Sequence, residues 1–288
     1  MAKIISVGPG FEELERKFTF TDLRVMVEVY RHVLACRDEF VTQDAPSMLP
    51  DVPAALLPSV SAPLEITPMR RRFYSTDKKL EMPAQGIELR QEPKPNGTVR
   101  QVIKIGSSDV EEDNPTLDRT EYPARLYDLG PVLHAVRDKA VRRRLVKAFG
   151  RKKLRQPIRM MSQRFRFPYH PEGDRHLTME IAFDPILVGQ CFDGFSWAHP
   201  MMELEIKNGP QDKVEAGALL DREERRLTAR FEMVRHLHSN PSPGFDHLRE
   251  MVGSKQGRLE LNALPQGFYD WRAVPLNGRV SQAQLETM

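Results

Sequence analysis

The chain has 288 residues, of which 29% are charged and 40% hydrophobic, and its 43 Lys and Arg nearly cancel its 40 Asp and Glu to leave +3. That length allows one large β domain or two ordinary ones, and the near-neutral balance excludes a global field that would dictate a partner, so any strong field is local. No apolar run reaches the roughly 20 residues of a membrane-spanning helix, and the first ten residues lack the apolar centre of a secretory signal, so a cytoplasmic protein without membrane contact is expected.

Phe11 to Phe20 carries charges at alternate positions, as a strand with one polar face would. Thr21 or Asp22 then opens an amphipathic helix, with Leu23, Met26, Val27, Tyr30, Val33 and Leu34 at helical spacing. Asp44 to Pro68 is rich in Pro and Ser and reads as an irregular insertion. Strands are expected at Arg70 to Ser75, Gly86 to Gln91 and Val99 to Ile105, followed by an acidic turn over Ser107 to Pro115. Residues 131 to 155 read as a helix with a conspicuously basic face, which we take as solvated. Further strands are expected at Ile158 to Pro168, His176 to Phe183 and Met202 to Asn208, and a long helix at Lys213 to Leu237. A mixed segment follows Pro241, and Val280 to Met288 reads as a frayed tail. Cys36 and Cys191 have no nearby cysteine partner and no metal-ligand spacing, so both are expected to be buried thiols.

One pattern occurs twice: Glu13-Leu14-Glu15-Arg16-Lys17 and Glu203-Leu204-Glu205-Ile206-Lys207. Alternate residues of a strand share a face, so each copy projects two carboxylates and an ammonium one way, with Leu14, Leu204 and Ile206 pointing the other. Four carboxylates converging inside a barrel would repel one another unless a cation joined them, and hard divalent ions such as Mg²⁺ or Mn²⁺ prefer such oxygen ligands. Cations are strand-borne as well: Arg90, Arg100, Lys104, Arg159, Arg164 and Arg166, with Arg164 and Arg166 on one face. Guanidinium groups grip phosphate oxygens bidentately.

These residues resemble the CYTH domain proteins, the triphosphate tunnel metalloenzymes, over roughly Phe11 to Arg258. The Glu-x-Glu-x-Lys opening is matched by Glu13, Glu15 and Lys17. The family's aromatic strand resembles Arg72 to Thr76, with Ser75 in place of an acid. Its Arg-x-Arg segment aligns with Gly86 to Glu92 in two registers, each putting a Glu, Glu88 or Glu92, where one Arg is expected. Lys104, then Arg119 and Glu121, match the next elements, with Pro123 at a position that is often acidic. Arg164 and Arg166, then Asp184, Glu203 and Glu205, and finally Ser254-Lys255, follow in the family's order.

The resemblance implies an α+β fold, with an eight-stranded antiparallel β-barrel forming the triphosphate tunnel and helices packed outside it. The tunnel domain would occupy residues 1–258, with the Pro-rich insertion at about 44–68, and 259–288 would be a C-terminal extension. It implies metal or water positioning by Glu13, Glu15, Glu121, Asp184, Glu203 and Glu205. Triphosphate would be bound by Lys17, Arg90, Lys104, Arg119, Arg164, Arg166 and Lys255, with Mg²⁺ or Mn²⁺ as cofactor. The implied activity is hydrolysis of a triphosphate, inorganic triphosphate first, with nucleoside or thiamine triphosphate as other substrates. A class IV type adenylate cyclase and a non-catalytic polyphosphate or nucleotide binding module remain alternatives. A nucleic-acid partner is not expected, given the 40 acids and the absence of interleaved aromatics.

Overall fold

A computed structural model describes residues 3–35, 65–76, 80–94, 96–106, 117–169, 178–208, 213–254 and 256. Most of the Pro-rich insertion, the acidic turn, Cys36, Lys255 and everything beyond 256 lie outside the described residues. The strands are β1 Ile4–Val7, β2 Phe11–Thr19, β3 Glu65–Thr76, β4 Ile87–Pro93, β5 Val99–Gly106, β6 Leu117–Leu126, β7 Leu154–Tyr169, β8 Thr178–Cys191, β9 Ser196–Asn208 and β10 Val234–Arg235. The helices are α1 Leu23–Ala35, α2 Glu81–Ala84, α3 Lys139–Phe149, α4 Lys213–Thr228 and α5 Ser242–Val252.

All strand pairs are antiparallel, in the order β6-β5-β4-β3-β7-β8-β9-β2, and β2 also pairs with β6, so the eight strands β2 to β9 close a barrel. β2 makes the closure by changing partners part-way along: Phe11 to Glu15 pair with β6, and Glu15 to Thr19 pair with β9. β1 runs beside the far end of β6, while β10 takes the edge of β2 at Phe18 and Thr19 that β6 leaves. Pro123 sits within β6 because it faces the gap between β1 and β2, where no strand needs its missing N–H.

The outer faces are covered in two places. On one side α1 and α4 pack Val29, Tyr30, Val33, Leu220 and Leu227 onto Phe18, Ile181, Phe183, Met202 and Leu204. Arg16, on the outer face of β2, reaches Glu224 and Asp221 of α4 at 2.6 Å each. On the other side α3 packs Leu145 and Phe149 against Tyr74, Leu89 and Ile103.

The fifth helix departs from the expectation of helices outside the barrel. Phe245, Leu248 and Val252 of α5 pack against Phe73, Ile158, Met160, Leu187 and Met201, the inward side chains at one end. One end of the interior is therefore apolar, and the charged side chains lie beyond it.

The helix expected over 131–155 is confined to α3, and β7 already starts at Leu154. Asp138 caps α3 by accepting from Ala140 and Val141 N–H, and the chain before it is held non-helically by two glutamines. Gln91 and Gln101 bond the backbone of Gly130 and Val132, donating to each carbonyl and accepting from each N–H. The helix expected to reach Leu237 stops at Thr228, because the chain is next drawn into β10 on the free edge of β2. Glu65 to Pro68, expected as loop, begins β3 and pairs with β7.

Gly189 lies opposite Trp197 in the β8–β9 pair, and Gly244 of α5 meets the same ring from the other side. A β-carbon would fall 2.1 Å from the indole at Gly189 and 2.4 Å from it at Gly244. Gly244→Ala is expected to destabilise the fold by about 1–3 kcal/mol, the range for overpacking. A double-mutant cycle with Trp197→Ala, read by chemical denaturation, should show most of that loss as coupling between the two positions.

Candidate functional site

The two Glu-Leu-Glu strands lie side by side. Glu15 pairs with Glu205 and Lys17 with Glu203, and directly opposed residues on neighbouring strands share a face. That face is interior: Glu13, Glu15, Lys17, Glu203 and Glu205 are all buried, with Leu14 and Leu204 packed on the outside. The inward set continues on Glu88 and Arg90 of β4, Lys104 of β5, Arg119 and Glu121 of β6, Arg164 of β7 and Asp184 of β8.

Glu13, Glu15 and Glu205 each offer an oxygen within 4.8 Å of the others. These three could hold a divalent cation, since buried carboxylate oxygens are the ligands Mg²⁺ and Mn²⁺ prefer. Glu203, Glu121 and Asp184, expected in the same metal set, lie outside this trio and meet cations, as Glu13 and Glu15 also do. Glu203 takes Arg164 at 2.6 Å and Lys17 at 3.0 Å. Asp184, fully buried, takes Arg164 through two guanidinium nitrogens. Glu121 takes Lys104 at 2.7 Å and Arg90 at 3.3 Å. Lys104 also bonds Glu13, and Arg119 bonds Glu15 and lies 3.5 Å from Glu13 and 3.6 Å from Glu88.

The electrostatics follow from these contacts. Burial alone would raise the carboxyl of Glu121, but Lys104 and Arg90 overcome it and hold Glu121 down to about 2. Burial works against Glu203 in the same way, and Arg164 and Lys17 keep it well below the usual carboxylate range. Burial disfavours the charged form of Arg164, and Asp184 and Glu203 reverse that. The groups enclose a cavity of about 30 Å³, room for little more than a water, so the side chains fill their own space. Phe73, Asn240 and Pro241 line the cavity on the α5 side. Asn240 accepts from Lys17 at 2.9 Å and donates to Glu203 at 3.3 Å. Arg100 and Arg166, with side chains 37% and 26% exposed, reach water at the opposite end, and on the α5 side a second pocket is lined by Glu88, Lys104 and Arg119 with Pro241, Ser242 and Arg249.

Of the expected phosphate-binding residues, Lys17, Arg90, Lys104, Arg119 and Arg164 line the cavity, and Arg166 lies nearer the water-facing end, 4.0 Å from Glu180. Arg159 faces away and bonds Gln190. Sequence reading missed Arg71, Asn240 and the buried pair His199 and His236. Arg71 follows from the alternation of β3, two residues before Phe73, and His199 lies on β9, four residues before Glu203; His236 and Asn240 come from the chain between β10 and α5, which carries no motif. Cys191 is a buried thiol pushed up to about 12 by burial, with Asp193 adding to it.

Neither a protein-family model nor any curated protein matches the chain. Among solved structures it is similar to the PH1819 protein of Pyrococcus horikoshii OT3, at 13% identity and a TM-score of 0.41, over 82% of this chain and 99% of that one. A likeness of that degree carries no argument, and the barrel stands on its own strand pairing. No helix among the described residues is long and apolar enough to cross a membrane.

His199 and His236 stand with ring centres 5.1 Å apart, and neither Nε2 has a hydrogen-bond partner. Burial, with Lys17 beside it and Asp184 opposing, pulls His199 down to about 4. Burial, with His199, Lys17 and His238 adding and Glu203 opposing, pulls His236 to about 3. Unfolded imidazoles take up a proton near 6.5 whereas these do not, so the unfolded state binds more protons and stability falls as pH drops below 6.5. Denaturation midpoints should decline from pH 6.5 to 4.5, by at most about 1.4 kcal/mol per pH unit for each histidine. His236→Gln should flatten that limb. The further loss from pH 4.5 towards 2, where Glu121 protonates in the unfolded chain before the folded one, should remain.

Proposed function

We propose that this chain is a metal-dependent hydrolase of inorganic triphosphate, built on the plan of the CYTH triphosphate tunnel enzymes. The observation that carries the reading is the convergence of Glu13, Glu15 and Glu205 in a closed interior that also buries Lys17, Arg90, Lys104, Arg119 and Arg164. Burying so many ions is unfavourable unless each is paired, and apolar residues would make a more stable core. Retention of the full set is explained by a ligand that is itself highly charged.

Six cations surround the cavity against its four lining carboxylates, with Glu121, Asp184, Glu205 and Glu92 buried behind them, so this buried set carries a net negative charge. Glu13, Glu15 and Glu205 would hold a divalent ion, which would offset that charge and supply charge neutralisation for a phosphoanhydride. Because the cavity is small, a triphosphate enters only as cations turn from their carboxylates to phosphate oxygens. Arg164 and Arg90 then hold phosphoryl oxygens bidentately, Lys17 neutralises charge beside Glu203, and a freed carboxylate orients the attacking water. Attack on the terminal phosphorus breaks the bridging P–O bond and yields phosphate and diphosphate.

A second reading, polyphosphate binding without turnover, is favoured by Glu88. In one of the two registers of the family resemblance it stands where an Arg is called for, and it lines the cavity 3.2 Å from Arg90. Phosphate release from triphosphate, ATP, thiamine triphosphate and long polyphosphate, assayed with Mg²⁺ and with Mn²⁺, separates the two readings, and product analysis with ATP detects a cyclase. Glu15→Gln and Glu205→Gln should each lower phosphate release by about a hundredfold or more while leaving the folded spectrum unchanged; full activity in either variant refutes the site.

A further inference from the structure

Among the cations that line the cavity, Arg71 stands apart. Its neighbours all hold carboxylates: Lys17 has Glu15 and Glu203, Arg90 has Glu88 and Glu121, Lys104 has Glu13 and Glu121, Arg119 has Glu15, and Arg164 has Asp184 and Glu203. Arg71 makes no ion pair among the described residues. It is 6% exposed, its Nε has no hydrogen-bond partner, and its terminal nitrogen meets only the thioether of Met69 at 3.1 Å. A thioether is a weak acceptor and cannot replace a carboxylate.

The isolation has a local cause. Arg72 pairs with Gln91 across β3 and β4, which brings Arg71 beside Glu92, but Glu92 is held by Lys94 at 2.5 Å. Arg90 and Arg164 are near enough to repel Arg71, while Glu92, Asp184 and Glu203 attract it without direct contact, each bound to another cation. Burial, reinforced by Arg90 and Arg164, pulls the Arg71 guanidinium down to about 10, which still leaves it charged at neutral pH. A buried, charged group without a direct ion pair is poorly compensated and weakens the fold that carries it. An apolar side chain of the same length would suit the site better if packing were its only task.

We propose that Arg71 is the anchor of an anion subsite, in which its free guanidinium, flanked by Arg90 and Arg164, takes one terminal tetrahedral oxyanion of the ligand, a phosphate group of a polyphosphate. The five donors of a guanidinium meet phosphate oxygens in a planar fork, and Arg71 can do so without first breaking an internal ion pair. It is therefore the first cation available to an incoming phosphate, while the acid trio is served by Lys104 and Arg119. The choice of phosphate rests on the function proposed above; the presence of an anion subsite does not depend on turnover.

The test compares the full chain with Arg71→Met and Arg71→Gln, by thermal unfolding without ligand and by calorimetric titration with inorganic triphosphate, with and without Mg²⁺. The anchor predicts that both variants keep or raise the melting temperature, by roughly 2 °C or more for methionine, because a poorly compensated charge is removed. It also predicts triphosphate affinity at least about tenfold weaker in both variants. A lowered melting temperature with unchanged affinity would make Arg71 a structural residue and overturn the subsite, as would no binding of triphosphate by the unaltered chain. Binding that depends on Arg71 but leads to no phosphate release keeps the subsite and removes the hydrolase. Turnover with an unchanged KM in Arg71→Gln keeps the hydrolase and removes the subsite.

Discussion

Barrel closure and assembly of the charged interior are one event, and they meet at Glu15. At this residue β2 passes from β6 to β9, so Glu15 adjoins Leu117 on one side and Glu205 on the other, with Glu13 beside Arg119 and Lys17 beside Glu203. A one-residue slip on either edge would turn Glu13 and Glu15 outwards and bring Leu14 and Arg16 in. The outer face resists that slip. Leu14 packs with the α1 and α4 cluster, and Arg16 is locked to Glu224, which also holds Arg235 of β10. The apolar and ionic contacts outside the barrel thus fix which residues face in.

The interior obeys a different rule from the rest of the core. Around α1, α3 and α4, area removed from water is the stabilising term, and the side chains have no polar work to do. Inside, the charges other than Arg71 are kept by their partners: Arg164 bridges Asp184 and Glu203, and Lys104 bridges Glu13 and Glu121. Such pairs gain little over apolar packing, but loss of one member strands the other in a poorly solvating site. Substitutions in this set are therefore expected to spread, each removed charge changing the pairing of at least two neighbours.

Features with a period of two were legible in the sequence. The paired Glu-Leu-Glu strands, Lys17, Arg90, Lys104 and Arg164 all point inward as alternation requires, because a closed barrel gives every strand one inside and one outside. Alternation could not rank the acids. Glu203 looks identical to Glu205 in sequence, yet only the fold shows that Glu205 converges with Glu13 and Glu15 while Glu203 lies between Lys17 and Arg164. Features set by remote partners were not legible. The start of α3 is decided by Gln91 and Gln101 from other strands, β10 by a free edge of β2, and the position of α5 by the apolar ring of Phe73, Met160 and Met201. Arg71 was passed over because it sits in a run of three arginines, and only the fold shows which of them faces the cavity without a direct ion pair.

The seating of α5 against one end of the barrel narrows that end of the interior without sealing it, since Glu88, Lys104 and Arg119 line a second pocket there with Pro241, Ser242 and Arg249. Phe73, Asn240 and Pro241 line the main cavity on that side, and Arg100 and Arg166 stand towards the opposite end. The two ends therefore differ in kind, one rimmed by arginines and the other a narrow gap between α5 and the ends of β4 and β5, so a charged group meets a different chemistry at each.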